Sequence, residues 1–213
     1  MFETILFDLD GTLTDPALGI TNSVAHALSK WDISVSDRSE LFKFIGPPLL
    51  DSFAEYYGFS DEQSRLALKY YREYFTDRGM FENRVYEGVP ELLSNLKAQG
   101  KQLIVATSKP EEFAARILQH FELDGYFDFI GGASMDETRV KKADVIQYAL
   151  DTCNISSKAS VIMVGDRHHD IDGAKLCGLP SIGVTYGYGS IDELKDAGAD
   201  FIALSVEDIL KYV

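Results

Sequence analysis

Two aspartates separated by one residue stand near the start of the sequence, directly after a short apolar run. Asp8 and Asp10 follow Ile5-Leu6-Phe7, and side chains two positions apart share one face of an extended chain. At roughly 6 Å and an effective dielectric constant of about 20, two such carboxylates repel each other by about 3 kcal/mol. A raised pKa or a hard cation such as Mg²⁺, which prefers oxygen ligands, relieves that repulsion. Gly11 then permits a tight turn whose amide groups can face an anion.

Hydroxyl and ammonium groups follow two later apolar runs. In Thr107-Ser108-Lys109, a hydroxyl can donate to a phosphate oxygen or, alternatively, cap a helix that begins near Glu111. Lys141 and Lys142 open another helical pattern, where a lysine serves either an anion site or a solvated helix face. Each of these signals is weak when taken alone.

The segment from Gly165 to Asp170 adds two more carboxylates. Asp170 could simply cap a helix, but Asp166 directly follows an apolar run and a glycine, where an unpaired carboxylate is costly to bury. His168 and His169 lie between the two acids, as either metal ligands or exposed loop residues. Carboxylates, a hydroxyl and a lysine together offer a cation cage and an anion cradle, which is what phosphoryl transfer requires.

Alternating strand and helix patterns predict an α/β fold with a Rossmann-like parallel sheet covered on both faces. The apolar, β-rich runs predicted as strands are Thr4–Phe7, Leu103–Ala106, Phe127–Ile130, Val161–Val164 and Ser181–Val184. The predicted helices that alternate with them are Pro90–Gln99, Glu111–Phe121, Lys142–Thr152 and Asp170–Cys177. Ligands of such sheets bind outside the carboxyl ends of the strands, where the selected side chains stand.

A helical stretch interrupts this alternation after the first strand. Its predicted helices are Ile20–Trp31, Leu49–Tyr57 and Ser60–Asp77. The prediction is therefore a core of residues 1–14 and 84–213 with an inserted all-helical domain of residues 15–83.

The composition of the chain limits the classes of molecule that it is expected to bind. The chain has 213 residues, 46% of them hydrophobic, and 34 acidic against 20 basic residues give a net charge of -14. That charge disfavours nucleic acid polymers and acidic membranes but not a small phosphorylated metabolite, because a bound cation and lysines reverse the potential locally. Cys153 and Cys177 fit neither a disulfide framework nor a zinc site, and neither a signal peptide nor a membrane-length segment is recognised. We expect a cytoplasmic protein.

The selected residues, in this order, resemble the haloacid dehalogenase superfamily. The resemblance rests on Asp-x-Asp-Gly-Thr at Asp8 to Thr12, on Thr107, on Lys142 and on Gly-Asp-x-x-x-Asp from Gly165 to Asp170. It implies that the α/β core is the fold of that superfamily and that residues 15–83 form its mobile helical cap, which closes over the core and excludes water.

The resemblance also implies roles for individual residues. Asp8 is expected to be the nucleophile, and Asp10 the general acid and then the general base. Mg²⁺ is the expected cofactor, held by Asp8, Asp166 and the backbone carbonyl of Asp10, while Asp170 orients Lys142 or a metal-bound water. The residues expected to bind the phosphoryl group are Gly11, Thr12, Thr107, Ser108 and Lys142. Ala143 stands where many relatives carry proline, which leaves Lys141 open as an alternative to Lys142.

A phosphoglycolate phosphatase-like enzyme that hydrolyses a small phosphomonoester is the expected function. The segments Phe44–Leu49, Gly187–Gly189 and Ala197–Asp200 resemble the branch that includes phosphoglycolate phosphatases and 5′-nucleotidases. A 5′-nucleotidase, a pyrophosphatase, a phosphosugar mutase, and a non-catalytic phospho-switch or binding module remain alternatives. In the helical insertion, Lys43 and Arg72 are candidate substrate contacts, and the aromatic residues Tyr70, Tyr71, Tyr74 and Phe75 either contact substrate or form core.

Overall fold

Short runs of β-branched and aromatic residues form the sheet of the protein, whose computed structural model describes residues 2–213. The strands are Thr4–Phe7 (β1), Thr14–Asp15 (β2), Arg84–Val85 (β3), Gln102–Pro110 (β4), Phe129–Ala133 (β5), Val161–Gly165 (β6), Ser181–Val184 (β7) and Phe201–Ala203 (β8). The α-helices are Ala17–Leu28 (α1), Leu49–Tyr57 (α2), Asp61–Phe75 (α3), Val89–Ala98 (α4), Glu111–His120 (α5), Lys142–Thr152 (α6), His168–Leu176 (α7) and Ile191–Asp196 (α8).

Within residues 2–213, the main sheet has six strands in the order β5-β4-β1-β6-β7-β8, and the paired strands run parallel. Ile5 of β1 lies between Leu103 and Ile162 of its neighbours. Every residue of β1 is buried, as expected of a central strand covered on both faces. The predicted Rossmann-like parallel sheet is confirmed.

Helices cover this sheet through apolar stripes. Val145 and Ile146 of α6 pack with Leu6, Ile104 and Met163 of three neighbouring strands. Because β1, β4 and β6 are adjacent and parallel, their carboxyl ends meet at one edge of the sheet. This edge carries the residues singled out by the sequence.

The contacts divide the chain into two compact units. One unit comprises the residues through Asp15 together with Val85–Val213, and the other is Pro16–Arg84. The unit Pro16–Arg84 is helical, with α3 packed against α1 and α2. Tyr71 and Phe75 are buried in it and their rings stack, so these two aromatic side chains are core. The function of this unit as a cap stays a prediction.

Several elements differ from the sequence-based expectation, among them one strand that is shifted and two elements that were not predicted. The strand expected at Phe127–Ile130 forms at Phe129–Ala133, after a short 3₁₀ turn at Asp124–Tyr126. The terminal strand β8 and the helix α8 were not predicted, because three and six residues are too few to show a clear period. Among residues 2–213, no helix combines the length and apolar character needed to cross a bilayer.

Candidate active site

Asp8 begins the site directly after β1, where the buried strand reaches the edge of the sheet. Its amide donates to the carbonyl of Val164 in β6, at 2.9 Å, so the backbone is still held by the neighbouring strand. The residue is 4% exposed. Its Oδ1 accepts from the amide of Leu9 and lies 2.8 Å from Nζ of Lys142. The carboxylate is thereby fixed in orientation.

Lys142 is the first residue of α6 and is buried, whereas Lys141 is exposed. Its ammonium lies 2.7 Å from Oδ1 of Asp170 and donates to the carbonyl of Ala106 at 3.1 Å. Burial alone would lower the pKa of Lys142, but Asp170 and Asp8 raise it above its ordinary value. The side chain is therefore a permanent positive charge at the sheet edge.

Asp166 and Asp170 complete an acidic cluster with Asp8. One ligand oxygen from each of the three lies within 4.8 Å of the others, and all three side chains are buried. Burial raises the pKa of Asp166 well above its ordinary range, and the neighbouring Asp170 and Asp8 raise it further. Burial, opposed by Lys142, raises the pKa of Asp170 to about 6. Three crowded carboxylates with one ammonium between them fit a divalent cation that prefers oxygen, such as Mg²⁺.

The sequence left open whether Asp170 is the N-cap residue of α7. It is not, but its carboxylate accepts from the amide of the N-cap residue as part of a capping box. The helix begins at His168, two residues earlier than predicted, with Arg167 at the N-cap position. Oδ2 of Asp170 accepts from the backbone amide of Arg167 at 3.1 Å, and Oδ1 faces Lys142. The carboxylate thus joins the start of one helix to the lysine of another.

Asp10 faces a different cation. Its Oδ2 lies 2.5 Å from Nζ of Lys109, and the two residues are 8% exposed each. Burial raises the pKa of Asp10 above its ordinary value, although Lys109 opposes this. Sequence reasoning passed over Lys109; its alternation with Thr107 along one strand was the available signal.

Thr107 lies in β4, three residues before its end, and is buried, while Ser108 is half-buried. The Thr107 hydroxyl accepts from the amide of Lys109 at 3.2 Å. It does not cap α5, because Pro110 occupies the N-cap position without a side-chain hydrogen bond. The capping alternative was therefore wrong, and the buried hydroxyl remains available to a ligand.

Gly11 and Gly187 lie against Asp166. Gly11 has φ +85°, and a Cβ atom there would stand 2.2 Å from Oδ2 of Asp166. A Cβ atom at Gly187 would stand 2.5 Å from the same oxygen. Thr12, which is buried, directs its hydroxyl toward Oδ1 of Asp166 at 3.4 Å. Both positions require glycine, because the Cβ atom of any other residue would overlap the carboxylate of Asp166.

Two tyrosines in the loop after β7 donate hydrogen bonds to Thr12, Asp15 and Asp166. The sequence did not predict these contacts. The amide of Tyr188 donates to Oδ2 of Asp166 at 2.7 Å, and its hydroxyl donates to Asp15. The hydroxyl of Tyr186 donates to the carbonyl of Thr12 at 3.0 Å. These contacts join residues more than 20 positions apart, so no local pattern could predict them.

His168 has its polar partners outside the acidic cluster. Nδ1 of His168 lies 3.1 Å from Asp172, and the amide of His168 donates to Glu193. Burial, together with the neighbouring charges of His168 and Arg167, lowers the pKa of His169 to about 4. In the part of the chain that the structure describes, the ligand cluster consists of aspartates alone.

A comparison with known protein families fits this geometry. Residues 5–184 match the model described as haloacid dehalogenase-like hydrolase. The chain belongs to the haloacid dehalogenase-like hydrolase family. The expected resemblance is confirmed, and its relatives and structural neighbours make the protein a phosphatase of this family.

Several relatives of this haloacid dehalogenase-like hydrolase are similar over most of its length. A 5′-nucleotidase of Pseudomonas aeruginosa is 47% identical over 91% of this chain and 87% of its own. The tyrosine-protein kinase PtkA of Mycobacterium tuberculosis is 40% identical over 89% of this chain, which spans 64% of that protein. The crystal structure of a predicted phosphatase from Clostridium acetobutylicum is 54% identical, with a TM-score of 0.97 over 99% of this chain and 97% of that one.

Proposed function

We propose that this phosphatase is magnesium-dependent and hydrolyses a small phosphomonoester through an aspartyl-phosphate on Asp8. One observation carries the proposal. The oxygens of Asp8, Asp166 and Asp170 lie within 4.8 Å of one another, and Lys142 contacts two of these side chains. A cation cage and a fixed ammonium at one sheet edge provide the charge neutralisation that phosphoryl transfer needs.

The reaction has two balanced steps. A carboxylate oxygen of Asp8 attacks phosphorus, the bond to the leaving oxygen breaks, and Asp10 gives that oxygen its proton. Asp10 then takes a proton from water as the water oxygen attacks phosphorus. The acyl phosphate bond breaks, which releases phosphate and restores Asp8. The raised pKa of Asp10 suits a group that must hold a proton in the first step.

The remaining residues bind and orient. Lys142 neutralises phosphoryl oxygens and stays charged, because its raised pKa keeps it protonated. The buried Thr107 hydroxyl donates to a phosphoryl oxygen, and Asp170 holds Lys142 in register through its contact at 2.7 Å. We assign the other phosphate contacts to Gly11, Thr12 and Ser108.

Asp8, Asp166 and the backbone carbonyl of Asp10 would hold Mg²⁺. The donor set fits, because it consists of buried oxygens, and burial together with repulsion from Asp170 and Asp8 raises the pKa of Asp166. When bound, the ion neutralises charge that develops on the phosphoryl oxygens. Asp170 is the third carboxylate of the cluster and would act beside the ion through Lys142.

A nucleoside 5′-monophosphate is the first substrate to test. The relative named 5′-nucleotidase is 47% identical, whereas a relative named phosphoglycolate phosphatase, from Shigella boydii, is 26% identical. Phosphoglycolate remains the second candidate, since the segments Phe44–Leu49 and Gly187–Gly189 resemble that branch. A relative named pyrophosphatase PpaX, 31% identical, adds pyrophosphate to the panel.

Phosphate release from this panel tests the proposal. We expect release from one preferred phosphomonoester with Mg²⁺, and its loss with excess chelator. Acid quenching during turnover should trap phosphate on Asp8, identified by peptide mass spectrometry. ATP with a tyrosine-containing peptide tests the chemistry named for the PtkA relative. Absence of release from every phosphomonoester, or turnover that survives Asp8→Asn, would contradict the proposed function.

A further inference from the structure

Lys109 is a buried lysine whose ammonium contacts a carboxylate of the candidate site. Lys109 lies two residues after Thr107 on β4 and is 8% exposed. Its Nζ lies 2.5 Å from Oδ2 of Asp10. Burying an ammonium and a carboxylate together rarely improves stability, because desolvation offsets their attraction. A pair of this kind that adjoins reacting groups therefore calls for a functional explanation.

Asp10 is held on one side only. Oδ2 contacts Lys109, whereas Oδ1 is buried and has no hydrogen-bond partner among residues 2–213. A buried carboxylate oxygen without a partner is costly. Oδ1 is thus the atom that remains open to a ligand, while Lys109 fixes the plane of the carboxylate through the other oxygen.

Lys101 provides an internal contrast in the same unit. It is also a buried lysine, 6% exposed, but its Nζ donates to the backbone carbonyl of Phe2 at 2.6 Å. That contact ties the amino-terminal segment to β4 and involves none of the site's carboxylates. Lys101 therefore serves as a matched control for the loss of a buried ammonium.

We propose that Lys109 is a positioning residue for Asp10, holding Oδ2 so that Oδ1 faces the leaving oxygen and then the attacking water. The proposal rests on the proposed function, in which Asp10 carries the proton in both steps. Lys109 itself touches no reacting atom. Its effect is on the orientation of Asp10, and it should appear in kcat and not in KM.

Lys109→Met tests this directly. We expect kcat for phosphate release to fall by about 10- to 100-fold, a part of what general acid–base catalysis contributes, while KM changes less than about threefold. Lys101→Met should leave both constants near the wild-type values. Lys109→Gln keeps a hydrogen-bond donor without the charge, so its kcat should fall less than that of Lys109→Met. It replaces Lys109→Met in the test if the methionine variant does not fold.

A double-mutant cycle with Asp10→Asn separates positioning from an independent role. If Lys109 acts through Asp10, the double variant should be no slower than Asp10→Asn alone. Additive losses, a KM increase of tenfold with unchanged kcat, or a kcat like that of Lys101→Met would each overturn the proposal. Thermal unfolding of the four proteins in the cycle gives a readout besides activity, with the double variant expected to regain stability lost on leaving Asp10 unpaired.

The two proposals fail in different ways. If Asp8→Asn abolishes turnover but Lys109→Met behaves as wild type, only the positioning role is wrong. If Asp8→Asn retains full turnover, the proposed function is wrong and the positioning role falls with it.

Discussion

The interior of the sheet unit and the interior of the helical unit bury different kinds of polar group. In the sheet unit, the buried charged side chains are Asp8, Asp10, Lys101, Lys109, Lys142, Asp166 and Asp170. Within residues 16–84, all of which the structure describes, no charged side chain is buried, and the buried polar residues are Thr21, Ser23, Ser52 and Ser64.

Three of these hydroxyls, those of Thr21, Ser23 and Ser52, are satisfied within their own helices, whereas that of Ser64 has no hydrogen-bond partner among residues 2–213. Thr21 donates to the carbonyl of Ala17, and Ser23 to that of Gly19, each one helical turn earlier. The charges of the sheet unit instead meet across separate strands and helices, as Lys142 does with Asp8 and Asp170. Hydroxyl bonds of this kind fit inside a helix at little cost, whereas buried charges are costly and persist where chemistry needs them. Six of the seven buried charges of the sheet unit belong to the candidate site, and the exception is Lys101, which donates to the carbonyl of Phe2.

The largest expected effect is loss of turnover without loss of fold. Asp8→Asn removes the proposed nucleophile but keeps its size, so we expect phosphate release to fall by about 10³-fold or more. Steady-state phosphate assays and far-ultraviolet circular dichroism measure the two properties. Asp61→Asn, at an exposed acid in the helical unit, should change neither. A large activity loss in this control would break the comparison.

The helical unit should show the opposite pattern. Phe53 is fully buried and its ring lies against Phe44 and Phe59, so Phe53→Ala leaves a cavity. We expect the free energy of unfolding to fall by about 3–5 kcal/mol, measured by chemical denaturation. Leu66→Ala in the same unit, where the side chain is 40% exposed, should cost less than about 0.5 kcal/mol. Equal losses in the two variants would contradict the assignment of Phe53 to the core.

A conservative change within the charged cluster should separate stability from metal binding. Burial, with Asp170 and Asp8 nearby, raises the pKa of Asp166, so its charge opposes folding when no cation is present. Asp166→Asn should therefore raise the unfolding temperature of the metal-free protein, by about 2–4 °C for each kcal/mol relieved. Scanning calorimetry with and without Mg²⁺ measures this. The wild type should gain stability with Mg²⁺ and the variant should not. An equal gain in both proteins would contradict the assignment of Asp166 as a metal ligand.

The smallest effect concerns an acid far from the cluster. Lys97 and the amide of Leu103 hold Asp128 as the anion, and although burial opposes them the pKa of Asp128 lies below its ordinary 3.8. A depressed pKa adds stability above pH 3.8, and this is lost as the pH falls through the lower folded value. Asp128→Asn should thus cost at most about 1 kcal/mol at pH 7 and progressively less below pH 3.8. A difference that grows on acidification would contradict this sign.

Much of the fold and of the candidate site follows from local pattern. Asp8, Thr107 and Asp166 were found because each stands where a buried strand reaches the sheet edge, and parallel topology brings those ends together. Helix α6 was predicted with its observed bounds, which put Lys142 and not Lys141 in the buried position. Strand–helix alternation was enough to predict a parallel sheet and five of its six strands.

The features that the sequence did not predict depend on contacts between residues far apart in the chain. Nothing local indicates that Lys109 would meet Asp10, 99 positions away, or that the Tyr188 amide would meet Asp166. Strand β8 has three residues and gains its order only by pairing with β7. Such features are set by packing between elements, which sequence periodicity does not encode.

The two glycines beside Asp166 have a consequence for how this protein tolerates mutation. At Gly11 and Gly187, even one methyl group would overlap the carboxylate oxygen. In a library that samples every substitution and selects for phosphate release, these positions should accept as few replacements as the aspartate itself. A map of intolerant positions would therefore include residues without any functional group, whose contribution is the volume they leave empty.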